Sequence, residues 1–186
     1  MVKIRNEFAR DIDAREALLD RVWGPARWQK TAERLREGRK PAEGLSFVAE
    51  ESGCLVGTVR LWRVCAGPAR PALLLGPLAV EEARRGLGIG TALMQRAIAA
   101  ARLGHQAVLL VGDAPYYGRF GFSAEKTGGL WLPGPFARHR LLGCELVPGA
   151  LDGARGLIAA TGRPAPSLDV LVAGRVRTAS TARHAA

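Results

Sequence analysis

The chain has 186 residues, of which 48% are hydrophobic and 24% charged, with a formal net charge of +10; this predicts a folded domain and excludes a disordered chain. No apolar run reaches the about 18 residues that span a bilayer, and the N-terminus lacks a signal-peptide pattern, so a cytoplasmic protein without membrane contact is expected. The positive charge is dispersed among arginines rather than gathered in a basic run, which argues against nucleic acid as the main partner.

The first half of the chain predicts a strand, two helices and a hairpin of two strands, followed by a loop rich in Gly and Pro. Gly24-Pro25 ends the first helix, Gly38 closes the second, and Ser52-Gly53 supplies the hairpin turn. In chain order these elements are residues 2–8, 11–24, 28–38, 45–51 and 54–64 and the loop 66–71.

The second half of the chain alternates strands with helices. A strand followed by a helix and another strand requires a parallel crossover, whereas the hairpin is antiparallel. The predicted fold class is therefore α/β, with one mixed, mostly antiparallel sheet and helices on both faces. The elements are a strand from 73 to 80, a helix from 92 to 102, a strand at 106–112, helical turns at 114–122, a strand at 139–147 and a short helix at 152–162. Residues 1–172 are expected to form a single domain, and residues 173–186 a basic, flexible tail.

Three glycines alternate between the strand that ends at residue 80 and the helix that follows it. Gly86, Gly88 and Gly90 come directly after Arg84 and Arg85. Glycine lets the backbone approach a ligand closely, and the first N–H groups of a helix have no partner and carry the positive end of its dipole. The segment therefore predicts an anion site suited to phosphate.

Two common phosphate-binding patterns fit this segment poorly, and a purely structural glycine turn is a further alternative. No lysine follows Gly90, although a P-loop requires one. A dinucleotide fingerprint requires a glycine where Thr91 stands. Asp113 nevertheless ends the next strand about where a ribose-binding acid would lie, so a nucleotide-dependent oxidoreductase stays open as a hypothesis.

Arg85, Gly88 and Gly90 form an R-x-x-G-x-G motif, and in this motif the sequence resembles the GNAT superfamily of N-acetyltransferases. A second segment, "YYGRFGF", resembles the Y-x-x-x-G-F element that follows the next strand in this family; Tyr117 is its tyrosine. The resemblance covers roughly residues 46 to 123. It implies a GNAT-like fold in which a parallel strand pair splays apart at the cofactor site.

Gly76-Pro77 interrupts the strand just before Leu78, and proline cannot donate a hydrogen bond to a neighbouring strand. In the family this strand carries a bulge and separates from its neighbour, which opens a V for the cofactor. The dipeptide is compatible with such an interruption, and an ordinary turn at the end of the strand is the alternative.

The resemblance implies that acetyl-CoA donates its acetyl group directly to a primary amine of a small molecule or a protein, without a metal. The R-x-x-G-x-G loop would hold the pyrophosphate, and the end of the preceding strand would pair with the pantetheine. Tyr117 would be the general acid, because a phenol stays protonated at pH 7. The implied cofactor-binding residues are Leu78, Ala79, Val80, Arg85, Gly86, Leu87, Gly88, Ile89, Gly90 and Thr91.

The general base and the acceptor remain open. Some relatives place a glutamate on the strand before the phosphate loop, but that strand is apolar here. The base could be a water chain or one of Glu50, Glu51, Asp113 and His139, of which Asp113 also suits a helix cap. Three tryptophans either line an acceptor pocket or pack in the core: Trp23, Trp28 and Trp131. A non-catalytic acyl-CoA-binding sensor or scaffold is the alternative function, and a homodimer is compatible with the sequence.

Overall fold

The computed structural model describes residues 1–166, and its centre is one mixed sheet. The predicted tail at 173–186 and the last residues of the predicted domain lie outside the described residues. The strands are β1 Val2–Asn6, β2 Ser46–Glu51, β3 Cys54–Ala66, β4 Pro71–Val80, β5 Ala107–Val111, β6 Gly129–Trp131, β7 Leu141–Glu145 and β8 Arg155–Ala160. The helices are α1 Ile12–Trp23, α2 Ile89–Ala101 and α3 Ala114–Tyr117.

The strand order is β1-β2-β3-β4-β5-β7, and β8 pairs with both β3 and β6. Strands β4 and β5 are parallel, whereas the other pairs along the main path are antiparallel, as predicted. Because side chains alternate across a strand, the sheet separates two cores. Leu73 and Val108 pack in the core that α2 covers, and Leu74 and Leu109 pack in the core on the opposite face. Within residues 1–166, no helix is long and apolar enough to cross a bilayer.

The short helix predicted at residues 152–162 is wrong, because these residues contain β8. Gly153 and Gly156 have φ angles of +67° and +100°, which a helix does not accommodate. Strand β3 is longer than β2, so its last residues would be an unpaired edge; Val64 instead pairs with Ala160 of β8. β8 is thus determined by β3, a partner about 90 residues away in the chain. β8 in turn pairs with β6, a strand that the sequence did not predict.

The single helix predicted at residues 28–38 is also wrong. The segment forms two short 3-10 helices, Pro25–Gln29 and Thr31–Leu35, because Lys30 between them has an extended backbone with a ψ of 133°. Thr31 and Arg34 donate hydrogen bonds to carbonyl groups in the loop at 133–135, which hold the segment against that distant loop.

Asp11, directly before α1, is predicted to make stability depend on pH. Its side chain is 7% exposed and accepts hydrogen bonds from the Arg5 guanidinium at 2.6 and 3.0 Å, which with the Phe8 N–H lower the pKa of Asp11 from 3.8 to about 2. A lowered pKa means that this stabilisation is present above pH 4 and is lost as the pH falls through 2.

We expect Asp11→Asn to lower the free energy of unfolding at pH 7 by about 1–2 kcal/mol, and the difference from the wild type to shrink between pH 4 and pH 2. Urea unfolding at a series of pH values measures both quantities. Asp13→Asn, at an exposed position of α1, is the control. A difference of the same size at pH 2 and pH 7 would contradict the assignment.

Candidate active site

The parallel strands β4 and β5 separate soon after they pair. Residues 73 and 74 pair with 108 and 109, and within residues 1–166 no further pair joins the two strands. Along its other edge β4 stays paired with β3 as far as Val80, with a register shift opposite Gly76-Pro77, whose peptide bond is cis. One edge of β4 from Leu75 to Val80 is therefore open, which confirms the predicted interruption and splay.

Helix α2 begins at Ile89, three residues before the predicted start, directly behind the glycines. Gly86 and Gly88 have φ angles of +80° and +78°, in the left-handed region that favours glycine, and Gly88 is the N-cap. The N–H groups of residues 86–91 have no hydrogen-bond acceptor in the described part of the chain. They form a set of unsatisfied donors at the positive end of the helix dipole, which is a favourable environment for an anion.

The two arginines before the glycines differ in their contacts. Arg84 donates from Nε to the Glu51 carboxylate at 2.6 Å. The Arg85 side chain is 56% exposed, and its contact with the Glu82 carboxylate is 3.7 Å long. Arg85 therefore keeps hydrogen-bond donors available beside the glycines, whereas Arg84 is held by an ion pair.

A cleft of about 660 Å³ lies in the split between the two parallel strands. Its walls come from β4, β5, the 3-10 segments between residues 25 and 35 and the loop at 132–140. Tyr117, at the end of α3, lines this cleft. The open edge of β4, the cleft and the tyrosine thus occur together in one part of the molecule.

Gly112 allows the Tyr117 ring to take its place in the cleft. A Cβ atom on Gly112 would lie 2.2 Å from the ring, which no side chain could tolerate without a shift. Tyr116 packs edge-to-face on Tyr117, with ring centroids 4.9 Å apart, and its hydroxyl lies beside Gly90 at the start of α2. Burial, with a smaller contribution from Tyr116 and Asp113, raises the pKa of Tyr117 to about 12, so its phenol keeps its proton. Sequence reasoning missed the role of Gly112, which it placed as the last residue of the predicted strand at 106–112, whereas β5 ends at Val111.

Two carboxylates line the cleft among the described residues. Asp113 was one of the predicted base candidates; its side chain makes no helix-cap hydrogen bond and instead lies 3.3 Å from Arg140. Glu33, which the sequence did not single out, is the second and accepts a hydrogen bond from Arg36 at 3.2 Å. Asp113 is the N-cap residue of α3, as predicted, although its side chain does not supply the capping hydrogen bond.

The other base candidates lie away from the cleft walls. Glu50 and Glu51 are on β2, where they pair with Arg5 and Arg84, and His139 does not line the cleft.

The three tryptophans are 43 to 57% exposed, so they do not pack in the core. Trp23 lines the cleft, Trp28 lines a neighbouring cavity of about 330 Å³, and Trp131 lies under the Arg138 guanidinium. Within residues 1–166, no group of three or more His, Cys, Asp or Glu side chains is placed to hold a metal ion.

The sheet is mixed, its two parallel strands separate, and a glycine loop precedes helix α2. These features define the class of N-acetyltransferases that the two motifs predicted. The family model described as "Acetyltransferase (GNAT) domain" matches residues 42–124. Over 157 residues the chain is 29% identical to a protein of Escherichia coli K12 named "Uncharacterized N-acetyltransferase YhbS", an alignment that covers 83% of this chain and 93% of that protein.

Solved structures show the same relationship. The crystal structure of Escherichia coli YhbS in complex with CoA matches this structure with a TM-score of 0.72 and 29% sequence identity. The match covers 86% of this chain and 89% of that one. A GNAT family acetyltransferase from Brucella melitensis, crystallised with acetyl-CoA, has a TM-score of 0.55 and 30% identity over 76% of this chain and 94% of that one. The chain belongs to the GNAT family of N-acetyltransferases.

Proposed function

We propose that this N-acetyltransferase transfers the acetyl group of acetyl-CoA directly to a primary amine of a small molecule or a protein, within a single domain of residues 1–172. The observation that carries the proposal is the row of unsatisfied N–H groups at residues 86–91 beside Arg85. Escherichia coli YhbS and the Brucella melitensis relative were crystallised with CoA and acetyl-CoA, which supports the choice of donor.

The described residues suit the two chemical parts of the donor. The pyrophosphate would be bound by the N–H groups of Gly86, Leu87, Gly88, Ile89, Gly90 and Thr91, with Arg85 as the counter-charge. The open edge of β4 at Leu78, Ala79 and Val80 offers backbone groups with which the pantetheine can pair as an added strand does.

The reaction joins the amine nitrogen to the acetyl carbon and breaks the bond between that carbon and sulfur. Acetyl-CoA supplies a reactive thioester, and CoA leaves as a thiol. A primary amine is an ammonium at pH 7, so it first loses one proton to solvent, for which Asp113, Glu33 and a water chain are the candidates in the cleft. The neutral amine loses a second proton as it is acetylated, and the sulfur must gain one.

Tyr117 would supply the proton that the sulfur gains. Because its pKa of about 12 lies above the roughly 8.5 of a thiol, transfer of the phenol proton to a free thiolate is uphill on its own. Tyr117 therefore gives its proton to the sulfur only as the carbon–sulfur bond breaks and as it receives the proton that the amine nitrogen loses. The proton lost by the amine thus restores the phenol, so the enzyme returns to its starting state.

Titration calorimetry of acetyl-CoA into the wild type, Arg85→Ala and Arg84→Ala tests the anion site, with NAD as the control ligand. We expect Arg85→Ala to raise the Kd by about tenfold or more, because one charged hydrogen bond contributes roughly 1.5–3 kcal/mol. Arg84→Ala removes an equal charge that is already paired with Glu51, so its Kd should stay within about threefold of the wild type.

Two results would contradict this assignment. Equal losses in the two variants would mean that general charge, rather than the loop geometry, binds the donor. A wild type that binds NAD and no acetyl-CoA would overturn the proposed function.

A further inference from the structure

The walls of the cleft carry more basic than acidic side chains, and most of the basic ones already have partners. Arg27 is held by Glu16 and Asp20 at 2.6 and 2.8 Å, and Arg34 donates to the Pro133 carbonyl at 2.7 Å. The basic residues that line the cleft are Arg27, Lys30, Arg34, Arg36 and Arg140, against the carboxylates of Glu33 and Asp113.

Arg36 is the most buried of these cations and its donors are poorly satisfied. Its side chain is 9% exposed, and its hydrogen bond from Nη1 to Glu33 is 3.2 Å long. Its Nε is fully buried without an acceptor among residues 1–166, and Nη2 lies where a Cβ on Gly76 would be only 2.8 Å away. Burial lowers the pKa of Arg36, which means that its charged form is under-stabilised in the protein alone.

Lys30 is a second cation of the cleft, and unlike Arg36 it has no carboxylate partner in the described part of the chain. Its ammonium lies 3.5 Å from the centroid of the Trp23 ring. Burial, and then the positive charges of Arg36 and Arg140, lower the pKa of Lys30. Lys30 is therefore repelled by Arg36 and by Arg140, although Arg140 also lies 3.3 Å from the Asp113 carboxylate, and a bound anion would relieve that repulsion.

We propose that the acceptor is a small amine that also carries an oxyanion group, a carboxylate or a phosphate, bound by Arg36, Lys30 and Arg140. The planar fork of an arginine matches both groups with two parallel hydrogen bonds. Arg36 contacts Gly76, two residues before the segment assigned to the pantetheine, so an anion bound there holds the rest of the acceptor near the thioester. This inference rests on the proposed acetyl transfer and specifies its acceptor.

Thiol release from acetyl-CoA with matched amines tests the inference. The probes are 4-aminobutyrate, phosphoethanolamine, butylamine and a neutral lysine peptide; comparison of the first two separates carboxylate from phosphate recognition. We expect the better anionic amine to have a kcat/KM at least about tenfold above that of butylamine, as one charged hydrogen bond would give. Arg36→Lys and Arg140→Gln should each reduce this ratio by about fivefold or more.

Arg102→Gln, at an exposed position just after α2, removes the same charge away from the cleft and should leave the ratio unchanged. Arg36→Lys keeps the buried charge, and Arg140 is 44% exposed, so neither test depends on a variant that loses a buried ion. Equal or faster transfer to butylamine or to the peptide would overturn the inference and leave acetyl transfer standing.

A binding measurement separates failure of the inference from failure of the proposed function. Butyrate and methyl phosphate are titrated calorimetrically into the wild type and Arg36→Lys, with and without CoA. Binding of one anion that weakens in the variant supports the anion site even if no amine is acetylated. Binding of neither anion to the wild type, with or without CoA, overturns the site whether or not acetyl-CoA binds.

Discussion

Replacing Tyr117 by phenylalanine is expected to lower turnover by at least about tenfold, and by up to about a hundredfold, because the variant has no proton to give to the departing sulfur. The Kd for acetyl-CoA should move by less than about twofold, since the ring can keep its packing on Gly112 and Phe122. Steady-state thiol release and titration calorimetry measure the two quantities separately.

Tyr116→Phe is the matched control, because it removes a hydroxyl from the neighbouring ring and leaves the edge-to-face contact intact. Its turnover should stay within about threefold of the wild type. Unchanged turnover in Tyr117→Phe would remove Tyr117 from the mechanism. An equal loss in both variants would show that packing of the ring pair, rather than the Tyr117 proton, supports the reaction.

Gly88→Val is expected to weaken acetyl-CoA binding by about thirtyfold or more. A β-branched residue at a φ of +78° is strained by roughly 1–3 kcal/mol, and relief of this strain reorients the N–H groups proposed to bind the pyrophosphate. Loss of even one or two charged hydrogen bonds corresponds to such a change in affinity. Titration calorimetry of acetyl-CoA, together with urea unfolding, measures the effect.

Gly53→Val provides the control for backbone strain. Gly53 has a φ of +82° in the hairpin turn between β2 and β3, and like Gly88 it has no atom within 4 Å of the position of an added Cβ. Both variants should therefore lose similar stability, while only Gly88→Val loses affinity. Equal affinity in the two variants would mean that the glycine loop does not hold the donor.

The family and the order of the elements from β2 to β5 could be predicted because their signals are local. Gly86 and Gly88 require a left-handed backbone, and Ile89 begins the helix, within a stretch of a few residues. Gly76-Pro77 likewise interrupts a strand through its own backbone chemistry. The chemical roles assigned to Arg85 and Tyr117 remain predictions, which the experiments above test.

Sequence reasoning could not predict β8 or the composition of the cleft, because both depend on residues far apart in the chain. β8 is a strand because β3 extends beyond β2 and its free edge takes a partner. Arg36 belongs to the cleft because it packs on Gly76, and nothing in the residues around it indicates that contact. The sequence by itself determined the GNAT family and the glycine loop that precedes α2, since short motifs encode backbone conformation. Only the tertiary structure decided which carboxylates and cations line the cleft, since burial and ion pairing exist only once distant segments meet.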